Sequence, residues 1–255
     1  MLLAIDVGNT QTHVGMFRGE DLVEHWRFST APEATADEIA MVLAGLLGLR
    51  GLALAEVDGA VVSSVVPQLA QEYETVSERY LEGALAVVGP RLRIGMPIRI
   101  ENPHELGADR LVNAVAAYER FQAACIVIDF GTAITFDTVS TEGEYLGGII
   151  APGVEISMEA LTERAAKLPK VDLEPPRELI GRSTKASIQS GVVYGFAGQV
   201  DGILHRIRRE LGIEAAAIAT GGLAGYVVPF CEEPVELDDL LTLTGLRLIW
   251  ERNRP

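Results

Sequence analysis

The fold of this chain is decided by a short segment that occurs twice, as IDVGNT at residues 5–10 and as IDFGTA at residues 128–133. Each copy follows an apolar run and precedes a β-branched one, and a glycine beside a small residue suits a tight turn between two strands. A single Asp-x-Gly hairpin is a weak indication, because any strand-to-turn junction could carry it. Two copies so far apart indicate a duplicated domain, and we predict domains at residues 1–115 and 116–255.

Apolar strand-like segments alternate with helical ones along the rest of the chain, which favours an α/β fold. Strands are predicted at residues 2–5, 12–17, 22–28, 59–65 and 215–220, with short ones near Ala86 and Ile98. Helices are predicted at residues 67–80, 157–167 and 184–211. A capping box of Thr35 with Glu38 predicts the start of a further helix. That helix is expected to be buried, because residues 39–49 are apolar. Residues 168–183 are predicted to be one long irregular segment.

Composition and charge exclude several classes of protein. The chain has 255 residues with 21 basic and 36 acidic side chains, a formal net charge of −15, which argues against a nucleic-acid partner. Its lysines, Lys167, Lys170 and Lys185, do not follow a glycine, so no P-loop is present. An anion such as ATP would therefore be bound by backbone N–H groups and metal cations more than by lysines.

Cysteine usage and hydropathy indicate where the protein resides. The two cysteines form neither a disulfide framework nor a zinc pattern. No basic region precedes the apolar N-terminal residues, as it would in a signal peptide, and Arg50 interrupts the longest apolar run well short of a membrane span. We expect a cytoplasmic protein with no membrane partner.

The two predicted turns are candidate phosphate sites, because successive backbone N–H groups in a glycine-containing turn form an anion-binding concavity. Residues 8–10 suit that role in the first turn, and residues 131–132 in the second. The acid that heads each turn, Asp6 or Asp129, could hold a divalent or monovalent cation against phosphate oxygens. For either turn alone, a capped hairpin without a ligand is the alternative.

Two other segments carry candidate chemistry. Asp109 and Arg110 precede an apolar helical run, so they are expected near a helix N-terminus. There the carboxylate could accept a proton from a hydroxyl, and the guanidinium could bind a carboxylate or phosphate. A helix-terminal charge beside a surface arginine is the alternative. The strand that ends in Thr220-Gly221-Gly222 would let backbone approach a flat ligand, although many strand ends look like this.

Glycines at positions 191, 195, 198 and 202 fall on one face of the helix predicted at residues 184–211. Glycine costs about 0.5–1 kcal/mol relative to alanine inside a helix, so a row of them suggests close approach of another backbone. Packing within the chain and contact with a second subunit are both consistent with the row.

These segments resemble the actin-like superfamily of sugar and acetate kinases, chaperone ATPases and actin, and within it type III pantothenate kinase over most of the chain. The residues that carry the resemblance are Asp6–Thr10, Asn102–Arg110, Asp129–Ala133, Gly147–Gly153, Leu168–Pro169, Gly181–Thr184 and Gly221–Gly222. The resemblance implies duplicated actin-like (ribonuclease H-like) domains, each a mixed sheet flanked by helices, with the active site in the cleft between them. It also implies ATP-dependent phosphorylation of pantothenate to 4′-phosphopantothenate, the first step of coenzyme A biosynthesis, by a homodimer whose substrate pocket is completed across the interface.

The resemblance further implies roles for individual residues. Asp109 would be the general base, Asp129 would bind a monovalent cation such as K⁺ or NH₄⁺, and Asp6 would take part in Mg²⁺ binding through water. The residues implied to bind pantothenate are Gly107, Ala108, Asp109, Arg110 and Thr184. The residues implied to bind ATP are Asp6, Val7, Gly8, Asn9, Thr10, Gln11, Thr12, His13, Thr132, Gly221 and Gly222.

Two other functions stay open from the sequence. Another small-molecule kinase or a phosphatase of the same superfamily would differ in its acceptor. A nucleotide-binding regulator without turnover would be expected to lack the base, yet Asp6, Asp109 and Asp129 are all present. The chain departs from the family at residues 99–101, where Arg-Ile-Glu stands before the Asn-Pro pair and many members carry a tyrosine, so an aromatic substrate contact is not expected there.

Overall fold

The computed structural model describes residues 1–89, 92–165 and 168–254. The strands are β1 (Leu2–Val7), β2 (Gln11–Arg18), β3 (Asp21–Ser29), β4 (Gly59–Ser64), β5 (Ala84–Val87), β6 (Cys125–Phe130), β7 (Ala133–Val139), β8 (Tyr145–Pro152), β9 (Ala216–Thr220) and β10 (Glu236–Leu237). The α-helices are α1 (Ala36–Gly48), α2 (Pro67–Tyr80), α3 (Ala108–Phe121), α4 (Val154–Arg164), α5 (Thr184–Leu211), α6 (Ala224–Val227) and α7 (Leu241–Asn253). The predicted α/β class is confirmed.

Two compact units divide the chain. The first comprises Met1–Met96, Asn102–Ala116 and Leu240–Pro255, and the second comprises Pro97–Glu101 and Ala117–Asp239. The C-terminal segment departs from a linear division at residues 115/116, because α7 packs against β1, β2 and β4 and so clusters with the first unit.

The sheet of the first unit has the strand order β3-β2-β1-β4-β5. Its central strand, β1, is antiparallel to β2 and parallel to β4. One face packs with α1 and α2 around a core that includes Ile5, Val14, Leu43, Val62 and Tyr73. The other face packs against α7, and side chains of that helix lie directly against glycines of the strands.

The sheet of the second unit repeats this arrangement in the order β10-β9-β6-β7-β8. Its central strand, β6, is antiparallel to β7 and parallel to β9, as β1 is to β2 and β4. Helix α5 contributes Val200 and Leu204 to a core shared with Ile126, Ile128 and Phe136. Each Asp-x-Gly segment therefore begins at the end of a central strand, and the predicted duplication is confirmed.

Three local predictions were wrong. Asp6 and Val7 were expected in the turn but belong to β1. Ile98 makes an isolated bridge to Tyr145 and no strand, because neighbouring Pro97 has no N–H to extend a ladder. The helix expected to be buried, α1, buries one face only: Leu43 and Leu47 lie in the core, but the side chains of Met41, Val42 and Leu49 are exposed.

In the second unit, the structure can be compared with the predictions for α4, for residues 168–183 and for the glycines of α5. α4 begins at Val154, three residues before its predicted start, and its predicted end at Lys167 lies outside the described residues. Residues 168–183 contain no helix or strand, as predicted. A Cβ added at Gly191, Gly195 or Gly198 would meet no atom of another element within 4 Å in the described part of the chain, so close packing among the described residues does not explain these three glycines. No helix among the described residues is long and apolar enough to cross a bilayer.

Candidate active site

Two backbone hydrogen bonds hold the turn between β1 and β2. Gly8 N donates to Gln11 O at 3.0 Å, and Thr30 N donates to Thr10 O at 2.9 Å. A Cβ on Gly8 would lie 2.9 Å from the Gln11 oxygen, so this closure favours glycine. The side chains from Asn9 to Gln11 are exposed, and a ligand can therefore reach the backbone of the turn.

Three of the residues expected to bind ATP at this turn have buried side chains: Val7, Thr12 and His13. Val7 lies in the hydrophobic core. Thr12 is buried as well, and its Oγ1 is 2.9 Å from Thr30 Oγ1. A ligand at the turn could therefore meet only the backbone of Val7 and Thr12.

Asp6 lies in a row of polar residues that crosses three strands. In the strand register its partners are His13 on β2 and Ser63 on β4. Directly paired residues project from the same face of a sheet, and here that face is opposite the core residues Ile5 and Val62. His13 is 9% exposed and Ser63 is fully buried, whereas Asp6 is partly exposed.

The imidazole of His13 is held in its neutral form. Its Nε2 lies 3.1 Å from Nδ1 of His25, and the two rings meet edge to face. Burial, followed by the positive charge of Arg27 and the neighbouring His25 ring, lowers the pKa of His13 to about 3. His13 therefore brings no positive charge to the row near neutral pH, which leaves Asp6 suited to a metal cation.

Asp109 and Arg110 lie in the first turn of α3, as predicted. Leu111 N donates to Gly107 O at 3.2 Å, and a Cβ on Gly107 would lie 2.4 Å from Asp109 Oδ1. The absence of a side chain at Gly107 thus makes room for the carboxylate at the helix N-terminus, where the helix dipole stabilises negative charge. Asn113, one turn further along, is fully buried on the same face.

The second Asp-x-Gly turn is shorter and is enclosed by other backbone. Gly131 N donates to Ala133 O at 3.1 Å, and Gly153 N donates to Thr132 O at 3.1 Å. A Cβ on Gly153 would lie 2.3 Å from Thr132 O and 2.6 Å from Gly131 O. Gly153 therefore permits a close approach that another residue would block.

Gly221 brings the end of β9 against Asp129. Its φ is +96°, and a Cβ there would lie 2.6 Å from Phe130 O and 2.7 Å from Asp129 Oδ1. The preceding Thr220 pairs with Asp129 in the register and is 2% exposed. The sequence predicted that backbone at this strand end would approach a flat ligand. In the structure, the absence of a side chain at Gly221 leaves room for Phe130 O and Asp129 Oδ1. Gly222 is exposed.

Thr184 is the first residue of α5 and is exposed. The side chain of Ser183 caps the helix by accepting a hydrogen bond from Ala186 N at 3.2 Å. Thr184 lines a cavity of ≈ 900 Å³ together with apolar side chains that include Ile188 and Phe196. That volume is in the range typical of small-molecule sites.

The irregular segment at residues 168–183 is fastened to the first half of α5. Gln189 Nε2 donates to Asp172 O and to Glu174 Oε2, both at 3.0 Å. Lys185 Nζ forms an ion pair with the same Glu174 carboxylate at 3.1 Å. The segment before Thr184 is therefore positioned by polar contacts although it has no regular structure.

The residues present fit the two cations that the sequence implies. No group of three or more His, Cys, Asp or Glu in the described ranges could hold a metal ion alone. Mg²⁺ commonly takes one or two carboxylates, with substrate phosphates and water as its other ligands, and the partly exposed Asp6 fits that pattern. The carboxylate of Asp129 and the carbonyl of Phe130 both lie near Gly221, and such oxygen atoms are the ligands that hard cations take.

The predicted site residues fall into two sets. The first unit contains residues 6–13 and 107–110, and the second contains Asp129, Thr132, Thr184 and residues 221–222. Ser63 was not predicted, because its place beside Asp6 depends on the pairing of β1 with β4. The sequence gives one indication of Ser63, the pair Ser63-Ser64 at the end of an otherwise apolar strand.

Comparison with solved structures identifies the fold. A candidate 2-dehydro-3-deoxygalactonokinase from Sinorhizobium meliloti matches with a TM-score of 0.58 and 9% identity, over 100% of both chains. Component A of the (R)-2-hydroxyglutaryl-CoA dehydratase of Acidaminococcus fermentans matches with a TM-score of 0.55 and 13% identity, over 99% of both chains. At such identities the likeness concerns the fold alone, which is that of the actin-like ATPases and sugar kinases.

Sequence comparison is more specific. The family model described as type III pantothenate kinase matches residues 2–206. The type III pantothenate kinase of Myxococcus xanthus is 51% identical over 253 residues, covering 99% of each chain. That of an Anaeromyxobacter species (strain Fw109-5) is 52% identical over 254 residues, covering 100% of each. With the two Asp-x-Gly turns and the Gly107–Arg110 segment in the places described above, the chain belongs to the type III pantothenate kinase family.

Proposed function

We propose that this chain transfers the γ-phosphoryl group of ATP to pantothenate, giving 4′-phosphopantothenate and ADP, in the first step of coenzyme A biosynthesis. The observation that carries the proposal is the identity of about one residue in two to type III pantothenate kinases over the whole chain. We place the enzyme in the cytoplasm, in keeping with its two free cysteines, Cys125 and Cys231.

Asp109 is the general base of the proposed reaction. The hydroxyl oxygen of pantothenate forms a bond to the γ-phosphorus while the bond to the bridging oxygen breaks, and ADP leaves with that electron pair. The hydroxyl proton passes to the Asp109 carboxylate. The position of Asp109 in the first turn of α3, with space provided by Gly107, supports this role.

The substrates are held by groups of matching charge. The backbone of residues 8–10 binds ATP phosphate, and Thr132 with the strand end at residues 221–222 contributes further ATP contacts. Pantothenate is a carboxylate, and the guanidinium of Arg110 suits it because the two groups can form paired hydrogen bonds. Thr184 supplies a hydroxyl at the edge of the ≈ 900 Å³ cavity for the same substrate.

Two cations complete the proposed site. Asp6 would hold Mg²⁺ through water, and Asp129 with the Phe130 carbonyl would hold K⁺ or NH₄⁺. When bound, these ions neutralise phosphate charge, which a lysine neutralises in P-loop enzymes. Two observations support this assignment. Oxygen atoms of Asp129 and Phe130 lie near Gly221, and the chain has only three lysines that could otherwise neutralise phosphate charge.

We also propose a homodimer that forms through the glycine face of α5, defined as Gly191, Gly195, Gly198 and Gly202. At the first three positions a Cβ would point into open space. Exposed apolar side chains in the same unit, such as Ile150 at 64% exposure, would be covered in a dimer. Sedimentation of Gly195→Leu should show a monomer, while Gly45→Leu, at an equally open helical glycine of α1, should remain dimeric. A dimeric Gly195→Leu variant would contradict the proposed face.

The function is tested by an acceptor panel. The purified chain is incubated with ATP, Mg²⁺ and K⁺ and with pantothenate, N-acetylglucosamine or 2-dehydro-3-deoxygalactonate, and products are identified by mass spectrometry. We expect 4′-phosphopantothenate and ADP in equal amounts. Phosphorylation of a sugar but not of pantothenate would support another kinase of the superfamily, and ATP binding without any product would support a regulator.

A further inference from the structure

The hydroxyl of Ser63 is a buried polar group that has no hydrogen-bond partner among the residues that the structure describes. Ser63 is 0% exposed, and its Oγ accepts from and donates to no group within residues 1–89, 92–165 and 168–254. A buried hydroxyl left unpaired costs about 1–3 kcal/mol. The hydroxyl of the neighbouring Ser64, in contrast, is satisfied by backbone: Ser64 Oγ donates to Val66 O at 2.9 Å and accepts from Val66 N at 3.1 Å.

The position of Ser63 indicates what its hydroxyl is for. Ser63 pairs with Asp6 in the parallel register of β4 with β1, so both side chains project from the same face. Neighbouring strands lie about 4.8 Å apart, and rotation about the Cα–Cβ bond brings a serine hydroxyl within hydrogen-bond reach of a carboxylate across that gap. The opposite face is filled by the core, which includes Val62.

The second unit repeats this juxtaposition independently. There Thr220 on β9 pairs with Asp129 on β6, in the parallel register that corresponds to β4 with β1. Thr220 is 2% exposed and also carries a hydroxyl. A hydroxyl residue thus stands beside the acid of each Asp-x-Gly turn, although the two strand ends have different sequences, VVSS and IAT.

We infer that Ser63 is a positioning residue for nucleotide binding: in the nucleotide-bound enzyme its hydroxyl donates a hydrogen bond to the Asp6 carboxylate and fixes the orientation of that group. The inference rests on the proposed role of Asp6 in Mg²⁺-nucleotide binding. Groups that hydrogen-bond a metal-binding carboxylate from behind typically change metal affinity by about 10–100-fold when they are removed.

The test measures binding, without turnover. The affinity for a fluorescent, non-hydrolysable ATP analogue is determined with and without Mg²⁺ in the wild type, Ser63→Ala, Asp6→Asn and the double variant. We expect Ser63→Ala to weaken binding in Mg²⁺ by about 10-fold and to change Mg²⁺-free binding by less than about twofold. In the Asp6→Asn background, Ser63→Ala should have no further effect, because the group through which Ser63 acts is gone.

Two further variants separate positioning from packing. Ser64→Ala removes a hydroxyl from the adjacent residue on the opposite face and should leave the Mg²⁺ dependence of binding unchanged. Ser63→Thr keeps a hydroxyl, as Thr220 does in the second unit, and should retain affinity within about threefold. If Ser63→Ala does not fold, Ser63→Cys keeps the shape of the side chain at a slightly larger size and replaces the hydroxyl with a weak donor, and the same loss is expected.

The outcomes are distinguishable. Equal losses from Ser63→Ala in the wild-type and Asp6→Asn backgrounds, or wild-type affinity of Ser63→Ala in Mg²⁺, would overturn the inference while leaving the proposed function intact. Unchanged Mg²⁺-dependent binding in Asp6→Asn would overturn the proposed role of Asp6, and the inference with it.

Discussion

The two Asp-x-Gly hairpins stand at corresponding places in their sheets, but their surroundings differ. Asp6 pairs with His13 and Ser63, and its turn closes from Gly8 N to Gln11 O. Asp129 pairs with Thr135 and Thr220, and its turn closes over one residue fewer, from Gly131 N to Ala133 O. The second turn is also enclosed by Gly153 and Gly221, each within contact distance of its backbone oxygens.

Both units keep the same scaffold, while the side chains on the strands beside each hairpin differ in chemistry. The first turn is exposed at its tip and lies beside a row of mixed polar groups, which suits phosphate and a hydrated divalent cation. The second brings a carboxylate and a carbonyl oxygen together against a glycine, which suits a cation bound directly by protein oxygens. The two hairpins should therefore respond differently to substitution and to the choice of cation.

The largest effect is expected outside both hairpins, in Asp109→Asn. If the hairpins only bind phosphate and cations, losing the proton acceptor should lower kcat by about 10²–10⁴-fold while ATP affinity stays within about twofold of the wild type. Steady-state kinetics and a nucleotide-binding titration check this. Glu119→Gln, which neutralises an exposed carboxylate near the other end of α3, should keep wild-type kcat. A kcat of Asp109→Asn close to the wild type would refute the base assignment.

The second prediction separates the two acids by the ion that each binds. The wild type should be faster in K⁺ or NH₄⁺ than in Na⁺, and Asp129→Asn should be equally slow in all three salts. Asp6→Asn should still distinguish K⁺ from Na⁺ but should need much more Mg²⁺ for nucleotide binding. Equal wild-type rates in K⁺ and Na⁺ would remove the functional difference between the hairpins.

The sequence predicted the duplicated α/β fold and both turns because the signals are local: an apolar strand, a glycine and a β-branched strand. It also placed Asp109 at a helix start. It could not predict that Ser63 lies beside Asp6 or that Gly221 touches Asp129, because both depend on which strands pair in parallel across long intervening segments. The exposed face of α1 was missed because residues 39–48 are apolar throughout, so the sequence does not distinguish an exposed face from a buried one.

The third prediction concerns the enclosure of the second turn. Gly221→Ala places a Cβ within 2.7 Å of two oxygen atoms at a φ of +96°, whereas a Cβ on Gly131 would meet Ala133 O at an ordinary 3.5 Å. We expect Gly221→Ala to lower the free energy of unfolding by about 2–3 kcal/mol and Gly131→Ala by less than about 0.5 kcal/mol. Urea denaturation of both variants checks this. Equal stabilities would show that the close approach of Gly221 to Asp129 and Phe130 does not constrain the second turn.

The smallest effect is a pH dependence that belongs to the first hairpin alone, because Thr135 stands where the first hairpin has His13. The folded-state pKa of His13 is lowered from 6.5 to about 3 by burial, then by Arg27 and His25. Below pH 6.5 the unfolded chain therefore binds a proton that the folded chain does not. Stability contributed by His13 is present above that pH and is lost as the pH falls toward about 3.

His13→Thr makes the first hairpin resemble the second and removes this proton uptake. Between pH 7 and pH 5 the wild type should lose about 1–2 kcal/mol more stability than His13→Thr, measured as the difference between urea midpoints at the two pH values. The many carboxylates of the chain titrate in both proteins, so their contribution cancels in this difference. Parallel pH profiles would mean that His13 takes up a proton in the folded state, and a cationic imidazole beside Asp6 would then compete with the cation that this hairpin is proposed to bind.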